Sequence, residues 1–166
     1  MARANRVMIV EDEPNVRLVF RTALLSNDYV LSTAEDGETA LRYLRQEPID
    51  LVLLDLRMPG LDGIGLLRRL RAEGNGVPVV IVTAHGGVRD EVAAKELGAI
   101  DFLAKPLTPA ALRQVVADAL AQHAPPSTDR LPSHDGVHDR PGHAHSDGPR
   151  LPSTSAWPPG ATGSDR

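Results

Sequence analysis

The 166-residue sequence contains no cysteine, which removes disulfides, thiolate metal sites and cysteine nucleophiles together. Redox chemistry therefore does not fix the compartment. Long apolar runs are missing too: no stretch approaches the roughly 18 unbroken apolar residues of a membrane span. The apolar run that precedes Glu11 has four residues, too short for the core of a signal peptide. Cytoplasmic residence with no membrane attachment is the expectation. Basic charge is not clustered. The net charge is −4 and the basic residues are scattered, so there is no electrostatic footprint for nucleic acid or an anionic membrane, and direct binding to either is not expected. Lysine is scarce, with two against sixteen arginines.

What is present, 42% hydrophobic and 24% charged residues, suits one ordinary domain with a sizeable core. Composition changes near Ala124. Downstream come Pro125-Pro126, Pro158-Pro159, many Ser and Gly and four of the six histidines, with few large apolar residues. Such a segment cannot bury enough to offset its ordering entropy. The expected division is a folded domain over residues 1–123 and a disordered tail rich in Pro, Gly, Ser and His over 124–166. Arg130-Leu-Pro-Ser and Arg150-Leu-Pro-Ser repeat once in the tail, either as a docking motif or by chance. The tail histidines His134, His138, His143 and His145 have flexible spacing and no supporting partners in sequence, a weak basis for a metal site.

Upstream, five short apolar runs alternate with amphipathic segments: Val7–Val10, Val30–Ala34, Leu51–Leu54, Val79–Val82 and Ile100–Ala104. Most are apolar at nearly every position, the pattern of strands covered on both faces in a parallel sheet. The second alternates, with Ser32 and Thr33 polar, and is the candidate edge strand. Val16, Val19, Phe20, Ala23 and Leu24 fall on one helical face, as do Leu112, Val115, Val116 and Ala119. Pro14 and Pro109 stand at first helical positions, the latter behind a Thr108 cap. Asp36 and Asp62 are candidate caps of two further helices, and Gly98 a candidate terminator of the fourth. Five βα units with right-handed crossovers predict an α/β fold, a doubly wound five-stranded parallel sheet. Ligands of such sheets bind beyond the carboxyl ends of the strands.

Those ends carry Glu11 and Asp12 after the first strand, Asp55 after the third, Thr83 after the fourth and Lys105 after the fifth. Three carboxylates held together repel one another unless a hard divalent cation sits among them, and Mg²⁺ is the natural occupant. A metal, an ammonium and a hydroxyl around one carboxylate make a site for phosphoryl transfer onto it. Each residue also has a plainer reading. Glu11, Asp12 and Glu13 are the acids a helix N-terminus favours. Thr83 and Phe102 alone are ordinary strand residues, and Lys105 alone is a surface lysine. Asp55 is harder to place otherwise, because an acid directly after Leu-Val-Leu-Leu in a buried strand needs partners or a task. In a chain this rich in arginine, a lysine at position 105 also suggests a need for a compact ammonium.

Glu11-Asp12-Glu13-Pro14, Asp55-Leu-Arg-Met-Pro-Gly-Leu-Asp-Gly63, Thr83-Ala84 and Asp101-Phe-Leu-Ala-Lys105-Pro106 closely resemble the motifs of bacterial two-component response regulator receivers. The resemblance covers about residues 6–122. It implies a flavodoxin-like receiver with strand order 2-1-3-4-5 and Mg²⁺ as cofactor. Asp55 would be the phosphoacceptor. Asp12 would bind the metal directly, Glu11 would act nearby through water, and the Arg57 backbone carbonyl would complete the protein's ligands. Lys105 would pair with phosphoryl oxygens, Thr83 would hydrogen-bond one of them, and Phe102 would be the aromatic switch. It further implies a cis Lys105-Pro106 bond. Arg57 and His85, two residues after the acceptor and the threonine, stand where the family tunes phosphoryl lifetime, although a loop histidine beside Gly86-Gly87 is also simply a solvated one.

The implied partners are a sensor histidine kinase or a histidine phosphotransfer protein, plus a downstream protein docking around the fourth helix, fifth strand and fifth helix; a homodimer through that surface is possible in principle. No DNA-binding or ATPase domain follows in the sequence, which suits a stand-alone regulator or phosphorelay intermediate whose catalysis is limited to its own phosphorylation and dephosphorylation. Three other readings compete. A phosphatase of the haloacid dehalogenase type needs a second aspartate two positions after the first, where this chain has Arg57. A flavodoxin-like FMN protein would suffer repulsion between its phosphate and Glu11-Asp12-Glu13. A pseudo-receiver that only binds partners has no use for the complete acidic set and the lysine.

Overall fold

A computed structural model describes residues 3–25 and 28–123. The expectations for residues 124–166, a tail with a repeated tetrapeptide and four histidines, lie outside the described residues. Strands β1 (Asn5–Val10), β2 (Tyr29–Ala34), β3 (Leu51–Leu54), β4 (Val79–Thr83) and β5 (Asp101–Ala104) alternate with helices α1 (Pro14–Ala23), α2 (Gly37–Gln46), α3 (Gly63–Ala72), α4 (Val88–Glu96) and α5 (Pro109–His123). All pairings are parallel and the strand order is β2-β1-β3-β4-β5. No helix among the described residues is long and apolar enough to cross a membrane.

The unbroken apolar runs follow from the period-two geometry of a strand. Val7, Ile9, Leu51, Leu53, Val80 and Val82 face one layer, where they pack with Phe20 and Leu24 at the α1 side and with Leu112, Val116, Ala119 and Leu120 of α5. Met8, Val10, Val52, Leu54, Val79 and Ile81 face the other, against Ala40, Leu41 and Leu44 of α2, Leu66, Leu67 and Leu70 of α3, and Ala94 of α4. Since each of these residues lands in one core or the other, the buried stretches of β1, β3 and β4 are apolar up to the carboxyl end, where Thr83 closes β4. The alternating run is an edge, as β2 is only partly covered.

Helix boundaries follow local chemistry. The Asp36 carboxylate accepts the Thr39 N–H at 2.7 Å and Asp62 accepts that of Gly65 at 2.7 Å. The Thr108 hydroxyl accepts the Ala111 N–H at 3.1 Å in front of Pro109. Gly98, at φ 78°, takes the left-handed conformation just past α4. One expectation fails: Val19, assigned from periodicity to the buried face of α1, is 54% exposed. At 100° per residue the stripe of Val16, Phe20 and Ala23 is narrow and Val19 lies at its margin, where neither β1 nor α5 covers it.

Candidate functional site

Strand register brings the predicted residues to one level. Val10 pairs with Leu54 and with Ala34, and Thr83 pairs with Ala104, so the residues just beyond these ends share one rim of the sheet. Backbone hydrogen bonds carry the ladder one step further: Asp55 N–H to Val10 O at 3.0 Å, Glu11 N–H to Ala34 O at 3.0 Å, and Lys105 N–H to Thr83 O at 2.9 Å. Helix α3 begins hard against Asp55. A Cβ on Gly63 would collide with the Asp55 carbonyl oxygen, so only glycine permits this approach, which the Gly63 N–H bond to Leu56 O at 3.0 Å secures.

A cleft of about 600 Å³ opens on that rim, lined among others by Glu11, Asp12, Asp55, Arg57, His85 and Lys105. Glu11 and Asp55 are buried, Asp12 partly so, and carboxylate oxygens of all three lie within 4.8 Å of one another. Lys105 forms an ion pair with Glu11 and places its Nζ 3.5 Å from Asp55 Oδ2. The Lys105 stem lies against α1, with Nζ 5.9 Å from the centre of the Phe20 ring. Burial pushes the Glu11 carboxyl above its ordinary range; the hydrogen bond from Lys105 works against that shift and the charge of Asp55 adds to it. Asp55 Oδ1 is buried and has no hydrogen-bond partner among the described residues.

The donor set fits a hard divalent cation. Three carboxylates face one ammonium, leaving a negative surplus, and a buried oxygen without a partner is an expensive feature unless a ligand uses it. Such a cation would be held by oxygen atoms of Asp12 and Asp55, with Glu11 behind them.

Of the remaining sequence candidates, Thr83 is buried and its hydroxyl accepts the His85 N–H at 3.3 Å. Phe102 is half-buried against the layer that holds α3 and α4, and its ring presses on Gly86 so closely that a Cβ there would overlap it. The Lys105–Pro106 peptide bond is cis. His85 lines the cleft with an exposed side chain, and its backbone carbonyl accepts Arg57 Nε at 3.2 Å. The sequence reading missed three contacts. Lys105 pairs with Glu11. Arg17, one turn into α1, donates to the Glu11 carbonyl at 2.7 Å and the Asp12 carbonyl at 3.4 Å, clamping the acidic loop. Arg57 reaches Asp90 at the start of α4 at 3.1 Å. Helical spacing hinted only at Arg17; the other two need the loops brought together.

Comparison with known proteins agrees with this geometry. The model of the response regulator receiver domain matches residues 7–117. The transcriptional regulatory protein GlrR of Escherichia coli strain K12 is 41% identical over 124 residues, which cover 75% of this chain and 28% of GlrR. The chain thus spans little more than a quarter of that relative's length. A response regulator receiver protein from Pseudomonas putida shares 29% identity at a TM-score of 0.67, covering 71% of this chain and 99% of that one. The receiver domain of Francisella response regulator 1452 shares 27% at 0.66, covering 71% and 98%. With the acidic loop, Asp55, Thr83 and Lys105 converging on one rim, and with the family model spanning the same five βα units, this chain belongs to the response regulator receiver domain family.

Proposed function

We propose that Asp55 accepts a phosphoryl group from a phosphohistidine of a sensor histidine kinase or histidine phosphotransfer protein, in a Mg²⁺-dependent reaction. The observation that carries this reading is the buried Asp55 carboxylate, which has one oxygen without a partner and stands among Asp12, Glu11 and Lys105 in an open cleft. An Asp55 oxygen attacks the phosphorus in line, the new O–P bond forms, and the P–N bond to the donor imidazole breaks. Mg²⁺, held by Asp12 and Asp55 with Glu11 nearby and the Arg57 backbone carbonyl as a further ligand, would screen the charge of the phosphoryl oxygens. The protein's share is positioning and electrostatics: Lys105 pairs with a phosphoryl oxygen and Thr83 donates its hydroxyl to another.

Phosphorylation adds about 1.5 to 2 negative charges and strong acceptor oxygens. Thr83 turns toward them and vacates space beside the Phe102 ring, and the two residues act as the switch. Arg57 and His85 at the cleft mouth tune the lifetime of the acyl phosphate, Arg57 by restricting the approach of water. Residues 1–123 form the receiver. It signals through α4, β5 and α5 to a downstream protein, in the cytoplasm, with its own phosphorylation and dephosphorylation as its only chemistry. The test is labelling by the phosphorylated kinase or by a small acyl phosphate. Mg²⁺-dependent label on the parent and none on Asp55→Asn is the expected result, and label persisting on that variant overturns the assignment.

A further inference from the structure

Asp90 stands outside the residues this reading assigns. Its Oδ2 accepts two donors at the start of α4: the Gly87 N–H at 3.1 Å and Arg57 Nη2 at 3.1 Å. Arg57 follows the acceptor by two residues, lines the same cleft and also donates Nε to the His85 carbonyl at 3.2 Å. The His85 N–H donates in turn to the Thr83 hydroxyl at 3.3 Å. Polar contacts therefore run from the acceptor loop through Arg57 both to Asp90 and to the switch threonine.

Helix α4, at the far end of these contacts, is lightly seated. Ala94 is its one buried residue, while Val88 is 79% and Val92 49% exposed. With so little apolar surface in the core, its first turn depends on polar contacts for its position. The Arg57–Asp90 pair is itself exposed, at 60% and 29%, and ion pairs of that kind are weak enough for a nearby charge to compete with.

We propose that Asp90 is a positioning residue for Arg57, holding its guanidinium across the cleft mouth to α4, and that a phosphoryl group on Asp55 draws Arg57 off Asp90 and loosens the first turn of α4. The inference rests on the reading of Asp55 as the acceptor. Asp90 offers one charge at the solvent edge; the phosphoryl group brings about 1.5 to 2 charges and three acceptor oxygens. Asp90 takes the guanidinium through Nη2 alone, whereas the phosphoryl oxygens offer it a two-pronged partner.

The test compares the parent, Asp90→Asn, Arg57→Gln and the double variant by two readouts: amide hydrogen exchange at Glu91 and Val92, and first-order loss of phosphoryl label. Asp90→Asn keeps an oxygen to accept the Gly87 N–H and removes the charge that holds Arg57, so it separates the ion pair from the helix cap. In unphosphorylated protein each single variant is expected to speed exchange about two- to fivefold, the range an exposed ion pair supports, and the double variant no further. Phosphorylation should speed the same amides in the parent and not in the variants. Label lifetime should lengthen in Asp90→Asn, where Arg57 is freed to stay on the phosphoryl group, and shorten in Arg57→Gln, in which background the Asp90 change has no effect. A merely structural Asp90 would leave lifetime unmoved. A parent that takes label, with Asp90→Asn unchanged in lifetime or exchange, overturns the inference alone; a parent that takes no label on Asp55 overturns the acceptor reading and the inference with it.

Discussion

Removing the charge of Asp55 should make the metal-free protein more stable, not less. The Asp55 carboxylate lies within 4.8 Å of oxygens of both Glu11 and Asp12. At an effective dielectric of 20 each such pair repels by about 3.5 kcal/mol. Against this stands Lys105, 3.5 Å from Asp55 Oδ2, attracting by about 4.7 kcal/mol at the same dielectric. Two repulsions against one attraction leave about 2 kcal/mol of unfavourable energy that Asp55→Asn would relieve. The isosteric amide also spares the cost of keeping a charged group buried, which acts in the same direction. Urea unfolding in EDTA should therefore show the variant's midpoint raised by about 1 M for a slope of about 2 kcal/mol/M. With Mg²⁺ added the order should narrow or reverse, because the parent gains binding energy through a ligand that the variant has lost. A variant that unfolds at lower urea than the parent in EDTA would refute the electrostatic account, since the site would then be net attractive without a cation.

Two further outcomes follow from particular contacts. Gly63→Ala drives a Cβ into the Asp55 carbonyl oxygen and the Leu56 backbone, neither of which can rotate away, so it should cost about 1 to 3 kcal/mol in urea unfolding and depress labelling of Asp55 through displacement of β3 from α3. Asp36→Ala should cost about 1 kcal/mol at neutral pH. The Thr39 N–H bond holds the Asp36 carboxyl below its ordinary 3.8, so the cap's contribution is present above that value and is lost as pH falls through the lower folded-state value. Unfolding curves of parent and Asp36→Ala should converge in that acid range, and a gap that persists there removes the cap as its cause.

Much of this molecule was legible before any coordinate. The apolar runs of β1, β3 and β4 are readable as strands because a central parallel strand has no solvent face, and the polar Ser32 and Thr33 marked β2 as an edge for the same reason. Asp36, Asp62, Thr108 and Gly98 end or begin helices through bonds made within a few residues, so their chemistry is local and readable. The placement of acids, threonine and lysine at strand ends followed from strand length and parallel topology. Where periodicity misled, at Val19, the helix face was read correctly but the width of its cover was not, because that depends on how closely β1 and α5 approach.

Sequence alone thus determined which residues reach the carboxyl rim of the sheet, since burial in two cores leaves each strand one register. Tertiary structure alone decided what those residues touch. Lys105 meets Glu11 across 94 positions of chain, Arg57 reaches Asp90 at the start of α4, and Gly63 and Gly86 are glycines because Asp55 and Phe102 crowd them. None of these contacts leaves a periodic trace. A side chain on a loop has no face to repeat, and its partner is set by which strand ends the sheet happens to bring side by side.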